Sequence, residues 1–314
     1  MRGCDPEVPH LRPLGRRMTS SWMLVAGALF ATMGAFAKYL GSQFTGAELS
    51  MYRSLIALCA VGAVVIVRQR SFATRFWKGH SWRGVTGTIS LVGYFYAMTQ
   101  LPLATAITLN YTSPLWLTVL STLLLGERFR PMLVAAIVLG FGGVAMLLQP
   151  TFSDDNLHAG LIGLSSGFFA ACAYFNVKKL GIAGEPEWRV VFYFGVIGFI
   201  GSAAVQGVWM GEFHAVSIGN VWPLLAMGLA ATLAQLAMTR AYHSGNTLVV
   251  GAFAYSTVIF AALFGWLFFD EKLPAQAWVG MAVIVASGMM AKYASERALP
   301  AAIKRRPALP AEED

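Results

Sequence analysis

The chain has 314 residues, of which 57% are apolar and only 12% charged, and its formal net charge is +8. The charged fraction is about half that of an average soluble domain, and with a mean hydropathy of +0.61 it excludes an ordinary water-soluble globule. Period-two alternation is absent, which excludes a membrane barrel, so helices must satisfy the backbone inside lipid.

A hydrocarbon core about 30 Å thick takes roughly 20 apolar residues of helix to cross. The sequence predicts ten such spans, at 21–40, 49–67, 84–101, 103–125, 132–149, 159–177, 190–210, 221–239, 247–269 and 275–291. The expected fold class is therefore all-α integral membrane. A basic tail, 1–20, precedes the first span. Ala35-Phe36-Ala37 resembles a signal-peptidase site, but cleavage there would orphan span six, whose Lys178-Lys179-Leu180-Gly181 echoes Lys38-Tyr39-Leu40-Gly41; the first span is read as retained. Span two holds Arg53 several residues inside its apolar run, and Lys38 lies near the end of span one. Intramembrane cations are default candidates for anion contact. The alternative has Lys38 snorkelling and Arg53 paired with a carboxylate or helix-end carbonyls. Glu48, about 140° around the helix from Arg53, is a poor same-helix partner.

Arg68, Arg70, Arg75, Lys78 and Arg83 are read as the link to span three, which carries Tyr94, Tyr96 and Gln100. Span four holds Asn110, Tyr111, Thr112, Ser113, Pro114 and Trp116. Pro114 cannot donate to the carbonyl of Asn110 and is expected to act as a hinge. After an outer linker at 150–158, span six contributes Tyr174 and Asn176, span eight Gln235, and span nine Tyr255 and Thr257.

Twenty of the 23 basic residues fall in the tails and links on one side of this arrangement, while Asp154, Asp155, Glu212, Asp270 and Glu271 mark the other. The positive-inside rule makes the basic side cytoplasmic, with both termini there, as in a bacterial-type inner membrane. That distribution reads as a topology signal, so no nucleic-acid partner is expected. Trp82, Trp188, Trp222 and Trp278 near span ends read as an interfacial belt. Cys4, Cys59 and Cys172 show neither disulfide nor metal spacing.

A slide of 144 residues, the separation of Glu127 from Glu271, also superposes Tyr111-Thr112-Ser113-Pro114 on Tyr255-Ser256-Thr257-Val258. The spans therefore divide into two repeats, 21–149 and 159–293, followed by a tail, 294–314. Five spans per repeat force the two to cross the bilayer in opposite senses, giving two inverted five-helix repeats. In such carriers the substrate sits near the midplane where the repeats meet. Asn110, Tyr111, Ser113, Tyr255 and Thr257 are the first candidates to line that cavity, with Tyr94, Tyr96, Arg53, Trp116, Tyr174, Asn176 and Gln235 around them.

The stretch from Phe95-Tyr96-Ala97 through Leu101-Pro102-Leu103-Ala104, with Tyr111-Thr112-Ser113-Pro114-Leu115 and Leu125-Gly126-Glu127-Arg128, resembles the EamA family of the drug/metabolite transporter superfamily. Gly184-Glu185-Pro186-Glu187 through Phe192-Tyr193-Phe194 is similar to bacterial members as well. The second repeat departs from the pattern at Val258 and at Asp270-Glu271-Lys272. The resemblance implies a ten-helix inner-membrane carrier of small organic metabolites and leaves the substrate open.

All 15 acidic residues fall in loops, tails or span ends, so no midplane carboxylate proton relay is expected. No Walker motif is present, and His10, His80, His158, His214 and His243 are read as scattered over tails and loops, so neither enzyme activity nor a cofactor or metal is expected. The predicted function is secondary transport of a small organic metabolite (an amino acid or derivative, or a xenobiotic) by an exporter or exchanger using alternating access. An importer of a metabolite or vitamin on the same fold is the alternative, and a non-transporting sensor or scaffold the second. The expected partners are the small-molecule substrate and the lipid bilayer, with the chain a monomer or weak homo-oligomer.

Overall fold

The computed structural model describes residues 21–113, 115–116, 119–120, 131–148, 154–244 and 253–298. Ten α-helices and no strand occur among them: α1 (Trp22–Leu40), α2 (Gly46–Val67), α3 (Trp77–Gln100), α4 (Leu103–Asn110), α5 (Pro131–Leu148), α6 (Asp154–Ile182), α7 (Glu187–Val205), α8 (Ile218–Ser244), α9 (Ser256–Phe269) and α10 (Ala275–Ala298). Five apolar stretches are long enough to cross a membrane, running through α1, α2, α6, α7 with its π-helical extension Gln206–Met210, and α8. The chain is thus a multi-pass membrane protein. Its outer surface agrees: Val64, Ile66, Ile200, Leu233, Ile259, Trp222, Trp266 and Trp278 all stand exposed, as lipid-facing side chains must.

Local chemistry sets the helix starts. Thr45 accepts from the Glu48 N–H while Glu48 accepts from the Thr45 N–H, a reciprocal cap that opens α2. Pro186 immediately precedes α7 and Pro131 is the first residue of α5, positions where a missing N–H costs nothing. Asp270 closes α9 in the left-handed region at φ 51°.

The main helix packings form a pattern. α1 packs on α8 and α6 on α3; α1 packs on α9 and α6 on α4; α2 packs on α8 and α7 on α3; and α2–α7, α4–α9 and α5–α10 pair with each other. Exchanging each helix with the one five places on leaves that set unchanged; the α2–α3 packing, whose image would be α7–α8, stands outside it. Chain alternation gives the bundle two ends. One carries the C-termini of α1, α3 and α9 with the starts of α2 and α8, and we call it the Lys38 end. The other carries the start of α3 and the end of α6, the His80 end.

Two expectations need correction here. Arg83, read as a loop cation, lies inside α3, buried at 5% exposure. His80 opens the same helix and is buried, and His158 and His243 also lie in helices rather than in loops. Counting charges along a chain fixes the side of a link but not where the helix begins, and α3 starts seven residues before the predicted span.

Candidate functional site

The regular helix of span four stops at Asn110, and Tyr111 and Thr112 form a turn. Tyr255 is a turn residue in the same way, between helical Ala254 and Ser256. The two breaks meet. Tyr111 Oη lies 2.9 Å from Thr257 Oγ1, and the Tyr111 and Tyr255 rings are 6.2 Å apart. Pro114, the expected hinge, falls outside the described residues. Close approach is made possible by two glycines on the helices behind the breaks: a Cβ on Gly27 of α1 would meet Ser256 and Thr257, and one on Gly167 of α6 would meet Thr112 and the carbonyls of Leu109 and Asn110.

Beside this junction is a cavity of about 80 Å³, lined from α1, α2, α3, α4, α6, α7 and α8. Of the expected site residues, Arg53, Tyr94, Asn110, Tyr111, Tyr174 and Gln235 line it. Asn110 is held by its Nδ2, which donates to Ser166 Oγ at 3.0 Å, while Ser90 donates to the Ser166 carbonyl at 2.8 Å. Thr257 and Tyr255 stand behind Tyr111. The remaining candidates lie elsewhere in the packing. Trp116 is wedged against Phe141 and Phe168, with ring centroids 4.8 and 5.5 Å away. Asn176 donates to the Cys172 carbonyl one turn back on its own helix, Ser113 is buried, and Tyr96 packs on the core cluster.

Sequence reasoning missed Arg83, Gly87, Ser90 and Phe194, all of which line the cavity. The Arg83 and Arg53 guanidinium carbons lie 4.0 and 5.5 Å from the centroid of the same Phe194 ring. A signal for Arg83 did exist, because its spacing from Gly87 and Ser90 puts the three on neighbouring turns of one helix face.

Lys38 neither snorkels nor enters the cavity. Its Nζ sits 2.7 Å from Glu271 Oε1 and donates to the Leu101 carbonyl at 2.7 Å, while the Glu271 carboxylate accepts from the Leu103 N–H at 2.9 Å. This lock ties α1 and α9 to the α3–α4 link above the cavity. Glu48 does not pair with Arg53 either; it accepts from the backbone N–H of His214 at 2.6 Å and lies 2.8 Å from its Nδ1. At the opposite end Glu185 accepts from Thr74 Oγ1 at 2.7 Å and Arg189 Nη1 at 3.2 Å, and lies 2.9 Å from His80 Nε2. Burial works against the Glu185 charge, yet the hydrogen bonds from Thr74, His80 and Arg189 outweigh it and hold the carboxyl below its ordinary pKa.

Comparison with known proteins bears on the family and the fold. The pseudopaline exporter of Pseudomonas aeruginosa is 30% identical over 266 residues, covering 83% of this chain and 91% of that protein. The riboflavin transporter of Vibrio cholerae is 30% identical over 272 residues, covering 85% and 90%. One crystal structure superposes with a TM-score of 0.63 over 90% of this chain and 99% of that one; at 21% identity it speaks for the fold alone. The model of the EamA-like transporter family matches residues 17–149 and again 158–291. The chain belongs to the EamA-like transporter family of the drug/metabolite transporter superfamily.

Proposed function

We propose that this chain is a secondary transporter of a small organic solute, built as ten membrane-spanning helices in two inverted five-helix repeats, 21–149 and 159–293. The observation that carries the reading is the exchange pattern of the helix packings, with the α4 and α9 breaks touching through Tyr111 and Thr257 beside the cavity. Two similar halves of opposite sense have two equivalent ways to pack, and switching between them opens one site to either side in turn. The double match of the family model supports the same division. The charge asymmetry of the links supports a cytoplasmic His80 end and a Lys38 end on the outer face of an inner membrane. On that reading Lys38 and Glu271 close the outer side. A volume of about 80 Å³ is far below the roughly 300–1,000 Å³ of metabolite sites, so loading requires the halves to part.

Export or exchange is the direction we favour, supported by the relative named an exporter; the relative named a riboflavin transporter, at the same identity, carries no direction in its name. Counterflow in proteoliposomes tests the proposal: labelled solute exchange that is saturable and lost on crosslinking the Lys38 end is expected. A protein that inserts correctly and moves no solute from a broad metabolite panel would overturn it.

A further inference from the structure

We infer that the cavity is built for an organic dianion, two acidic groups on a hydrocarbon or planar core, held by Arg53 and Arg83 together; this rests on the transporter reading above. Both guanidiniums face the cavity, and each residue is only 5% exposed. Each keeps an Nε with no hydrogen-bond partner. The shared Phe194 ring lies within cation–π reach of both cations but leaves their charge uncompensated. Among the described residues no acidic side chain lines the cavity. Glu48, Glu185 and Glu271 are already engaged, by His214, by His80 with Arg189, and by Lys38. Two buried cations without a counter-charge are strongly unfavourable, and here the counter-charge can come only from outside the described protein groups.

A merely structural Arg83 would extend back toward the nearby His80 end of its helix, as long cationic side chains do. Instead its guanidinium lies over Gly87, one turn deeper into the bundle, where any Cβ would collide with it and with Phe194. The glycine therefore holds open the space that lets the arginine point inward. Planar guanidiniums take carboxylate or phosphate groups in a bidentate grip, which suits a ligand with two such groups. The rest of the wall, Phe30, Leu91, Tyr94 and Tyr111, offers apolar and aromatic surface for the core of that ligand.

Thermal-shift titration of the full chain in detergent tests this, with isophthalate as probe, its neutral isostere isophthalamide as control, and glutarate and phenyl phosphate as further dianions. Isophthalate is expected to stabilise the protein saturably and the diamide not at all. The order among glutarate, isophthalate and phenyl phosphate tells carboxylate from phosphate. Arg53→Met and Arg83→Met are each expected to weaken the dianion by roughly 10- to 100-fold. If a methionine variant is not recovered monodisperse, Arg53→Lys and Arg83→Lys replace it, with a loss of about tenfold from trading a fork for a point charge. Equal stabilisation by the diamide, wild-type dianion affinity in both variants, or no response to any of the three dianions overturns the inference. Counterflow separates the two readings. Movement of neutral solutes with dianions ignored removes the dianion site and leaves the transporter, whereas dianion binding without any flux does the reverse.

Discussion

The two ends of the bundle are closed by the same device and by different amounts of it. At each end a buried carboxylate sits at the entry to a helix, Glu48 for α2 and Glu185 for α7, and takes a histidine from the other half of the chain, His214 of the α7–α8 link and His80 in the first turn of α3. The Lys38 end adds an ion pair, the lock that joins α1, α9 and the α3–α4 link, where the His80 end adds hydrogen bonds from Arg189 and Tyr193 of α7 to the carbonyls of Ser71 and Phe72. The comparison teaches that each latch, like the lock, joins the two halves: Glu48 of the first meets His214 of the second, and Glu185 of the second meets His80 of the first. The lock adds an ion pair between the halves, through α1 and α9, so opening the Lys38 end must break it as well as the latch there.

The largest expected effect comes from opening that lock. Glu271→Gln removes one partner of a mostly buried pair, at a cost of about 2–4 kcal/mol to the closed form. Labelling of a cysteine at Met33 by an impermeant maleimide from the Lys38 side should accelerate at least roughly tenfold; an unchanged rate would show that the lock is ornamental. Exchanging the pair, Lys38→Glu with Glu271→Lys, should rescue closure only in part. The Leu101 carbonyl still needs a donor and the Leu103 N–H an acceptor.

Next come the glycines behind the helix breaks. Gly167→Ala and Gly27→Ala should each cost about 1–3 kcal/mol through forced displacement of α4 or α9, seen as a lowered Tm in detergent. Wild-type melting for both would mean the breaks tolerate spreading. A smaller effect, about 0.5–1.5 kcal/mol, is expected from Tyr111→Phe, which loses the bond to Thr257. Thr257→Val should cost about the same, and the double variant little more, because both remove one interaction. Additive losses would argue that the two hydroxyls work separately.

The smallest effect sharpens the comparison of the ends. Because the folded Glu185 carboxyl titrates below its ordinary value of 4.5, its contribution to stability is complete above that pH and is lost as pH falls through the folded value. Melting curves between pH 6 and 3 (about three units around that value) should show this slope, and Glu185→Gln should flatten it. A variant with an unchanged slope would place the acid sensitivity elsewhere.

Much of the fold was legible because the bilayer writes it in long apolar runs, and the slide that matches Tyr111 with Tyr255 picked out two residues whose rings lie 6.2 Å apart. Both tyrosines do fall at helix breaks, one of which had been expected at Pro114. Arg53 was visible as a lone cation within an apolar run. Arg83 was not, because it stands at the basic edge of its helix, where the same residue type usually marks topology; only the backbone position of α3 and the notch at Gly87 turn it inward. The latches were illegible for a different reason: Glu48 and His214 are 166 residues apart, and nothing local in either announces the other.

All eight residues of α4, Leu103–Asn110, are buried, threonines included. At about 1.5 Å per residue this rod covers less than half of a bilayer, and no part of it touches lipid. It enters the membrane as a passenger of its neighbours, and each of its side chains answers to a protein surface rather than to a fluid one. In a saturation-mutagenesis map the octet should therefore stand out as the least permissive stretch of the chain, refusing even the leucine-for-isoleucine exchanges that the lipid-facing helices accept.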